Sequence, residues 1–229
     1  GAVWSPDSRR VAFSAKREGD EVNQIYVLDV AAGGEAVRAT SLSTGASSPQ
    51  WSPDGRALLF SSGVLPGAAD DEANKRITAE RQARKYKARV YTGFPVRHWD
   101  RWLDDTQTHL FVHGVEPGAK ARDLLAGTKL VAQPGFGGRP NPMGGPDSLE
   151  AVWTPDGQSV IFVATTNRNA AAYDFVCTHV YQAPASGGEP RQLTTGKDSY
   201  SRPTFSPDGK ALYCLFERRT CLLYTSDAA

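Results

Sequence analysis

Short apolar runs alternate with clusters of turn-forming residues along nearly the whole chain. Val11-Ala12-Phe13, Ile25 to Leu28, Ala57 to Phe60, Leu110 to Val112, Val160 to Val163, Val180-Tyr181 and Ala211 to Leu215 have the length and side chains of β-strands. Ser-Pro-Asp-Gly sequences separate several of them and predict type I turns. Ser starts the turn, Pro fixes φ at the second position and Gly stands fourth. One stretch has a different character. Ala73 to Arg89 is rich in helix formers and follows Asp70-Asp71-Glu72, an acidic start that the helix dipole favours, so a helix is predicted there.

The turn motif repeats. Trp4-Ser5-Pro6-Asp7-Ser8 returns as Trp51-Ser52-Pro53-Asp54-Gly55, as Trp153-Thr154-Pro155-Asp156-Gly157 and as Phe205-Ser206-Pro207-Asp208-Gly209, at spacings of 47, 102 and 52 residues. Gly33-Gly34-Glu35 recurs as Gly187-Gly188-Glu189, each 18 residues before the next aromatic, at Trp51 and Phe205. Gly118 to Leu124 matches Gly187 to Leu193 in residue type, so a single swollen unit lies between Trp51 and Trp153. Trp102 stands midway by coincidence, since its downstream spacing is wrong. An aromatic, a turn, a strand, a second strand, a Gly-Gly turn and a last strand make a four-stranded antiparallel blade. The expected fold is all-β: an open fragment of a β-propeller over residues 1–220. It has about three such blades, the start of a fourth, and one helical insertion. The recurring Trp4, Trp51, Trp153 and Phe205 are expected to be blade-core aromatics that pack between blades rather than bind a ligand.

Insertions swell the second unit at about 64–108, between its second and third strands, and at about 126–148, between it and the next. Gln133 to Asp147 holds nine Gly or Pro in fifteen residues and reads as a long loop. Strands alternate in direction, so turns after second and fourth strands share a rim, opposite the Ser-Pro-Asp-Gly turns. Both insertions therefore fall on one rim, where elaborated loops meet ligands or partners.

Composition narrows the function. Of 229 residues 40% are hydrophobic and 22% charged, and Lys plus Arg (26) nearly balance Asp plus Glu (25) for a net charge of +1. A nucleic-acid footprint needs a clear basic excess and is not expected. Lys75 to Arg101 carries nine Lys or Arg against two acids. The run reads as a solvated face or a contact for an acidic surface rather than a nucleic-acid patch. No apolar run is long enough to span a membrane. Three Cys without Cys-x-x-Cys spacing give neither a disulfide framework nor a zinc site. His109, His113 and His179 lie on strand-like stretches without three convergent ligands, so no metal or other cofactor is expected. The chain opens Gly1-Ala2-Val3-Trp4 without a leader and is expected to be a piece of something longer, which leaves its compartment unreadable.

The segment Arg89 to Trp102, with Arg97-His98-Trp99-Asp100-Arg101-Trp102 at its end and His109-Leu110-Phe111-Val112 after it, resembles the propeller of the prolyl oligopeptidase family. The dipeptidyl-peptidase V and acylaminoacyl-peptidase branches are nearest. The turn and Gly-Gly-Glu repeats cover residues 1–216 and are shared with TolB-like propellers. The resemblance implies a substrate-gating propeller that covers a C-terminal α/β-hydrolase domain of a serine exopeptidase acting on short peptides. That domain is the partner it implies, and the inserted rim would face it. No Gly-x-Ser-x-Gly elbow occurs in the chain, so no catalytic residue is assigned and the chain alone is expected to be inactive. Arg97, His98 and Asp100 are expected to pin the insertion structurally, at a domain contact, with Trp99 and Trp102 packed beneath. Residues 221–229 resemble a translated sequencing adapter rather than native sequence; the alternative is a genuine strand. Two other readings stand beside the first: a TolB-like protein-binding propeller, and a propeller enzyme with a metal in its channel, for which a ligand set is lacking.

Overall fold

The computed structural model describes residues 1–218 except 87, 89, 92, 99, 117 and 140–146. The first blade consists of β1 (Ala2–Trp4), β2 (Arg10–Ala15), β3 (Gln24–Asp29) and β4 (Val37–Arg38), each strand antiparallel to the one before. The second begins with β5 (Ser47–Trp51) and β6 (Ala57–Val64). The chain then leaves the sheet through the helix α1 (Asp71–Gln82) and a two-stranded ribbon of β7 (Arg97–His98) and β8 (Arg101–Trp102). It returns as β9 (Gln107–Gly114) and β10 (Arg122–Asp123) to complete the sheet. The third blade holds β11 (Val152–Trp153), β12 (Ser159–Ala164), β13 (His179–Pro184) and β14 (Arg191–Gln192), and β15 (Ser199–Phe205) pairs with β16 (Leu212–Glu217) in a last sheet. The fold is thus the expected open propeller fragment. The tail 221–229 lies outside the described residues.

Strand alternation builds the core. Leu58 and Phe60 of β6 face the first blade and join Ala12, Ile25, Trp51 and Phe111, whereas Leu59 faces the third and joins Leu110, Leu124, Trp153, Phe162 and Tyr181. Each blade places an aromatic-ring pair across its second and third strands. Phe13–Tyr26, Phe60–Phe111 and Phe162–Tyr181 stack at 6.1, 5.6 and 5.6 Å, directly opposed in register.

Ser-Pro-Asp-Gly performs as its chemistry dictates. The Gly55, Gly157 and Gly209 amides close the turn onto the Ser52, Thr154 and Ser206 carbonyls at 2.8–2.9 Å. The Asp54 carboxylate accepts from the Ser52 hydroxyl at 2.6 Å and the Arg56 amide at 3.0 Å. Successive turns stack: a Cβ on Gly55 would lie 3.6 Å from Pro6, on Gly157 3.5 Å from Pro53, and on Gly209 3.0 Å from Pro155. Arg10 crosses the same seam, donating to the Gly55 carbonyl at 2.9 Å while its guanidinium lies 4.7 Å over the Trp51 ring.

Two sequence expectations need correction. Trp51 and Trp153 are buried, but Trp4 is 59% exposed and Phe205 only half-buried. The indole packs against the preceding blade: Trp51 Nε1 donates to the Val3 carbonyl at 3.2 Å. Trp4 has no preceding sheet among the described residues. The helix also stops at Gln82 rather than Arg89, because its apolar stripe stops. Ala73 and Ile77 pack on the core, and the next positions on that face are Arg81 and Arg84.

The rim that carries the insertions

Connections after second and fourth strands gather on one rim. The loop 65–106 leaves β6, the loop 124–151 leaves β10, and a third excursion, 165–178, leaves β12 with a single 3₁₀ turn at Arg168–Ala170. The third was not legible as an insertion, since it is short and its residues repeat no segment of the other units. Contacts join the three. Gln107 donates to the Val131 carbonyl at 3.2 Å, and Asn169 donates to the Pro134 carbonyl at 2.9 Å. Gly93 lies so close to Asn169 that a Cβ there would stand 2.6 Å from its Oδ1. Gly135 bridges Asn167, and a Cβ on Gly135 would fall 2.4 Å from the Thr166 carbonyl oxygen, so only glycine fits.

The root of the first insertion is firmly held. Asp70 caps α1 by accepting from the Ala73 amide at 2.8 Å, and Asp71 accepts from the Ser43 amide and hydroxyl at 2.8 and 2.6 Å. Asn74 is buried, with its Oδ1 accepting from the Leu65 amide at 2.9 Å. At the other end of the helix, Arg81 clasps Asp105 with two bonds of 2.7 and 2.8 Å, and holds that carboxyl below the usual carboxylate range. Beyond the helix the surface is aromatic and basic: Tyr86, Phe94, Trp102, Tyr173 and Phe175 are exposed, with Arg84 and Lys85 on the same segment.

The residues that the resemblance placed at a domain contact lie in the β7–β8 ribbon. Arg97 is opposite Trp102 in register, its guanidinium 5.9 Å over the indole ring, and Tyr91 lies 6.2 Å from Trp102. His98 is opposite Arg101, and Asp100 is exposed in the turn between them. Trp99 lies outside the described residues. Trp102 is not packed beneath the segment, as expected from sequence, but 57% exposed, because a two-residue ribbon offers no second layer to cover it.

At the common root of the first two insertions lies a groove of about 440 Å³ walled by residues 64–69, 126–128 and 131–134, with Gln107 and His109 between. His109 is buried, its Nδ1 2.7 Å from Asp123 Oδ2. The other Asp123 oxygen accepts from the Leu125 and Ala126 amides at 2.8 and 3.1 Å. His113 and His179 lie elsewhere on β9 and β13; burial pushes His179 below the usual imidazole range. Among the described residues no three His, Cys, Asp or Glu converge as metal ligands.

Comparison with known proteins agrees with this architecture. Residues 1–91 match the sequence model of the family described as prolyl oligopeptidase, N-terminal beta-propeller domain. Over those residues the sequence is similar to that family's propellers. In this propeller the matched part takes in the first blade, β5, β6 and α1, and ends before the Arg97–Trp102 ribbon. Over 72 residues the chain is 42% identical to the uncharacterized peptidase YuxL of Bacillus subtilis, a match covering 31% of this chain and 11% of that protein. Over 158 residues it is 31% identical to the probable dipeptidyl-peptidase 5 of Aspergillus terreus, covering 63% of this chain and 21% of the relative. The matched segments therefore span about a tenth and a fifth of those relatives. Among solved structures, a puromycin-hydrolyzing peptidase of Mycobacterium tuberculosis superposes with a TM-score of 0.50 at 16% identity, over 94% of this chain and 27% of that one. At that identity the likeness concerns the fold alone.

Proposed function

We propose that this propeller gates substrate entry to the α/β-hydrolase domain of a serine exopeptidase of the dipeptidyl- or acylaminoacyl-peptidase kind, and admits short peptides. The observation that carries the reading is the family match over residues 1–91, together with the gathering of three excursions onto one rim. Loop closure entropy grows slowly with length, so such excursions cost little to keep. Their use is contact. The aromatic and basic surface from Tyr86 to Trp102, joined to 165–178 through Gly93 and Asn169, suits a face that meets the hydrolase domain and borders the peptide route. The propeller contributes no nucleophile; its part is steric and electrostatic.

The intact gene product tests this. It is expected to turn over dipeptidyl or acylaminoacyl reporters, with the activity abolished by a serine-directed inhibitor, whereas the 229-residue chain alone turns over neither. Inhibitor-sensitive turnover by the chain alone overturns the reading. An intact product that lacks such turnover favours a TolB-like binding propeller instead.

A further inference from the structure

Successive blades dock through one repeated set of contacts. Trp51 packs in one cluster with Ala12 and Ile25 of the first blade, and its Nε1 donates to the Val3 carbonyl at 3.2 Å. At the next seam Trp153 packs in one cluster with Leu59 and Leu110, and its Nε1 lies 3.5 Å from the Gln50 carbonyl. The acceptor is each time the residue before the preceding blade's aromatic, and its partner in register, Ala12 or Leu59, lies under the indole. In the same seams the glycine of each turn closes over the proline of the turn before: a Cβ on Gly55 or Gly157 would fall 3.6 or 3.5 Å from Pro6 or Pro53. A seam therefore has a head, made of an aromatic and its turn. It also has a tail, made of a carbonyl, the side chain opposite it in register and a proline.

Among the described residues, the first blade presents a head and the last sheet a tail that no seam uses. Trp4 is 59% exposed, and Ser8 takes the left-handed place of the turn glycine at φ +57°. The seams at Gly55 and Gly157 leave ordinary contact space for a Cβ there. In the last sheet Thr204 pairs with Tyr213 as Val3 pairs with Ala12 and Gln50 with Leu59. Tyr213 is 63% exposed, and Leu215, two residues on and on the same face, is 54% exposed. The two ends also match in extent. The last sheet offers only β15 and β16, the first two strands of a blade. On the head side the third and fourth strands are already covered by the loop 16–23. Arg17 lies 5.3 Å over the Tyr26 ring, and Asp20 accepts from the Tyr26 hydroxyl and pairs with Arg38 at 2.8 Å. Tyr26 is thereby buried, and what stays open is Trp4 on the first strand. We propose that a second copy of this chain completes the seam. Trp4 of one copy seats on Tyr213 and Leu215 of the other, its Nε1 donating to the Thr204 carbonyl, with Ser8 over Pro207. Head-to-tail contacts form rings where the rotation closes. Two copies bring eight blade sheets, within the roughly 4–8 blades of closed propellers, so a dimer with two such seams is the expected product. The contact uses the lateral faces of the end blades and neither rim. It does not rest on the peptidase reading, and either can fail alone.

Sedimentation velocity of the 229-residue chain tests this. A concentration-dependent dimer is expected, formed by about 100 μM. Trp4→Ala removes the head and Tyr213→Lys the tail. Both side chains are exposed, so the far-ultraviolet spectrum and the thermal midpoint of the dilute chain should not change. Each variant alone should associate at least about tenfold more weakly. A head-to-tail contact also predicts what a symmetric one does not. When the variants are mixed, the intact tail of Trp4→Ala receives the intact head of Tyr213→Lys, and association returns through one seam. A chain that stays single over that range, variants that associate as well as the parent, or a mixture no more associated than its parts overturns the proposal.

Discussion

At the scale of single residues the repeats work through a few atoms. Gly55 and Gly157 sit at φ +68°, where any side chain is strained, while the stacked Pro of the preceding turn leaves ordinary contact space. Gly157→Ala is therefore expected to cost about 1–2 kcal/mol through backbone strain, read as a lower urea midpoint. Ser8 already occupies the equivalent left-handed position at φ +57°, so Ser8→Gly should stabilise slightly. The turn aspartates give a pH signature. In Asp7, Asp54, Asp156 and Asp208 the hydroxyl of Ser or Thr two residues earlier, then a backbone amide, holds the carboxyl below its usual value. A carboxyl depressed in the fold stabilises above its unfolded value, and that contribution is lost as pH falls through the folded one. Thermal midpoints should accordingly drop on acidification below the ordinary carboxylate range, and more shallowly in Asp54→Asn/Asp156→Asn. An identical acid limb in that variant would show that the turns do not contribute. Among the aromatics, Trp51→Ala should cost about 3–5 kcal/mol because its ring is buried against the preceding blade, and Trp4→Ala within about 0.5 because its ring is exposed.

At the scale of elements, what could be read in the sequence was what repeats. The long strands announce themselves as apolar runs. The two-residue strands β4, β10 and β14 carry no such signal and are legible only because the segments from Gly33, Gly118 and Gly187 align. The β7–β8 ribbon and the excursion 165–178 were not legible, since neither repeats a segment of another blade and the excursion is held by contacts to distant loops. The His109–Asp123–Gln107 group is likewise tertiary: the three come from two strands joined by register, not from a motif. The helix was legible as a helix but not in length, since propensity continues past Gln82 while packing does not. Its tether is Asn74. Asn74→Ala leaves the Leu65 amide without its acceptor, a cost of about 1–3 kcal/mol, and should release α1 before the blades unfold, seen as faster amide exchange over 71–82. The adapter-like tail makes the converse prediction: deleting 221–229 should leave the thermal midpoint unchanged, and a clear drop would make it a native strand.

At the scale of the whole molecule, the propeller divides its labour between two rims. One holds the stacked Ser-Pro-Asp-Gly turns, short and alike, where Arg10 and the proline–glycine contacts tie blade to blade. The other holds all three excursions, tied to each other and, through buried residues such as Ala73, Leu125 and Phe136, to the core, with exposed aromatics and cations. The exposed residues of this second rim can therefore be altered without unfolding the blades. Arg84 and Lys85 are exposed just past the end of α1, where neither bears on the core. Exposed cations near a substrate route act through long-range attraction, which raises encounter rates and is screened within about 10 Å at 0.1 M salt. In the intact gene product, Arg84→Gln/Lys85→Gln should lower kcat/KM for peptides with a free carboxylate, leave the amidated peptides unchanged, and flatten the salt dependence of the former. The thermal midpoint should not move. Equal kcat/KM and equal salt dependence for both peptide kinds would reduce this basic run to a solvated face and leave the proposed gating to the shape of the rim alone.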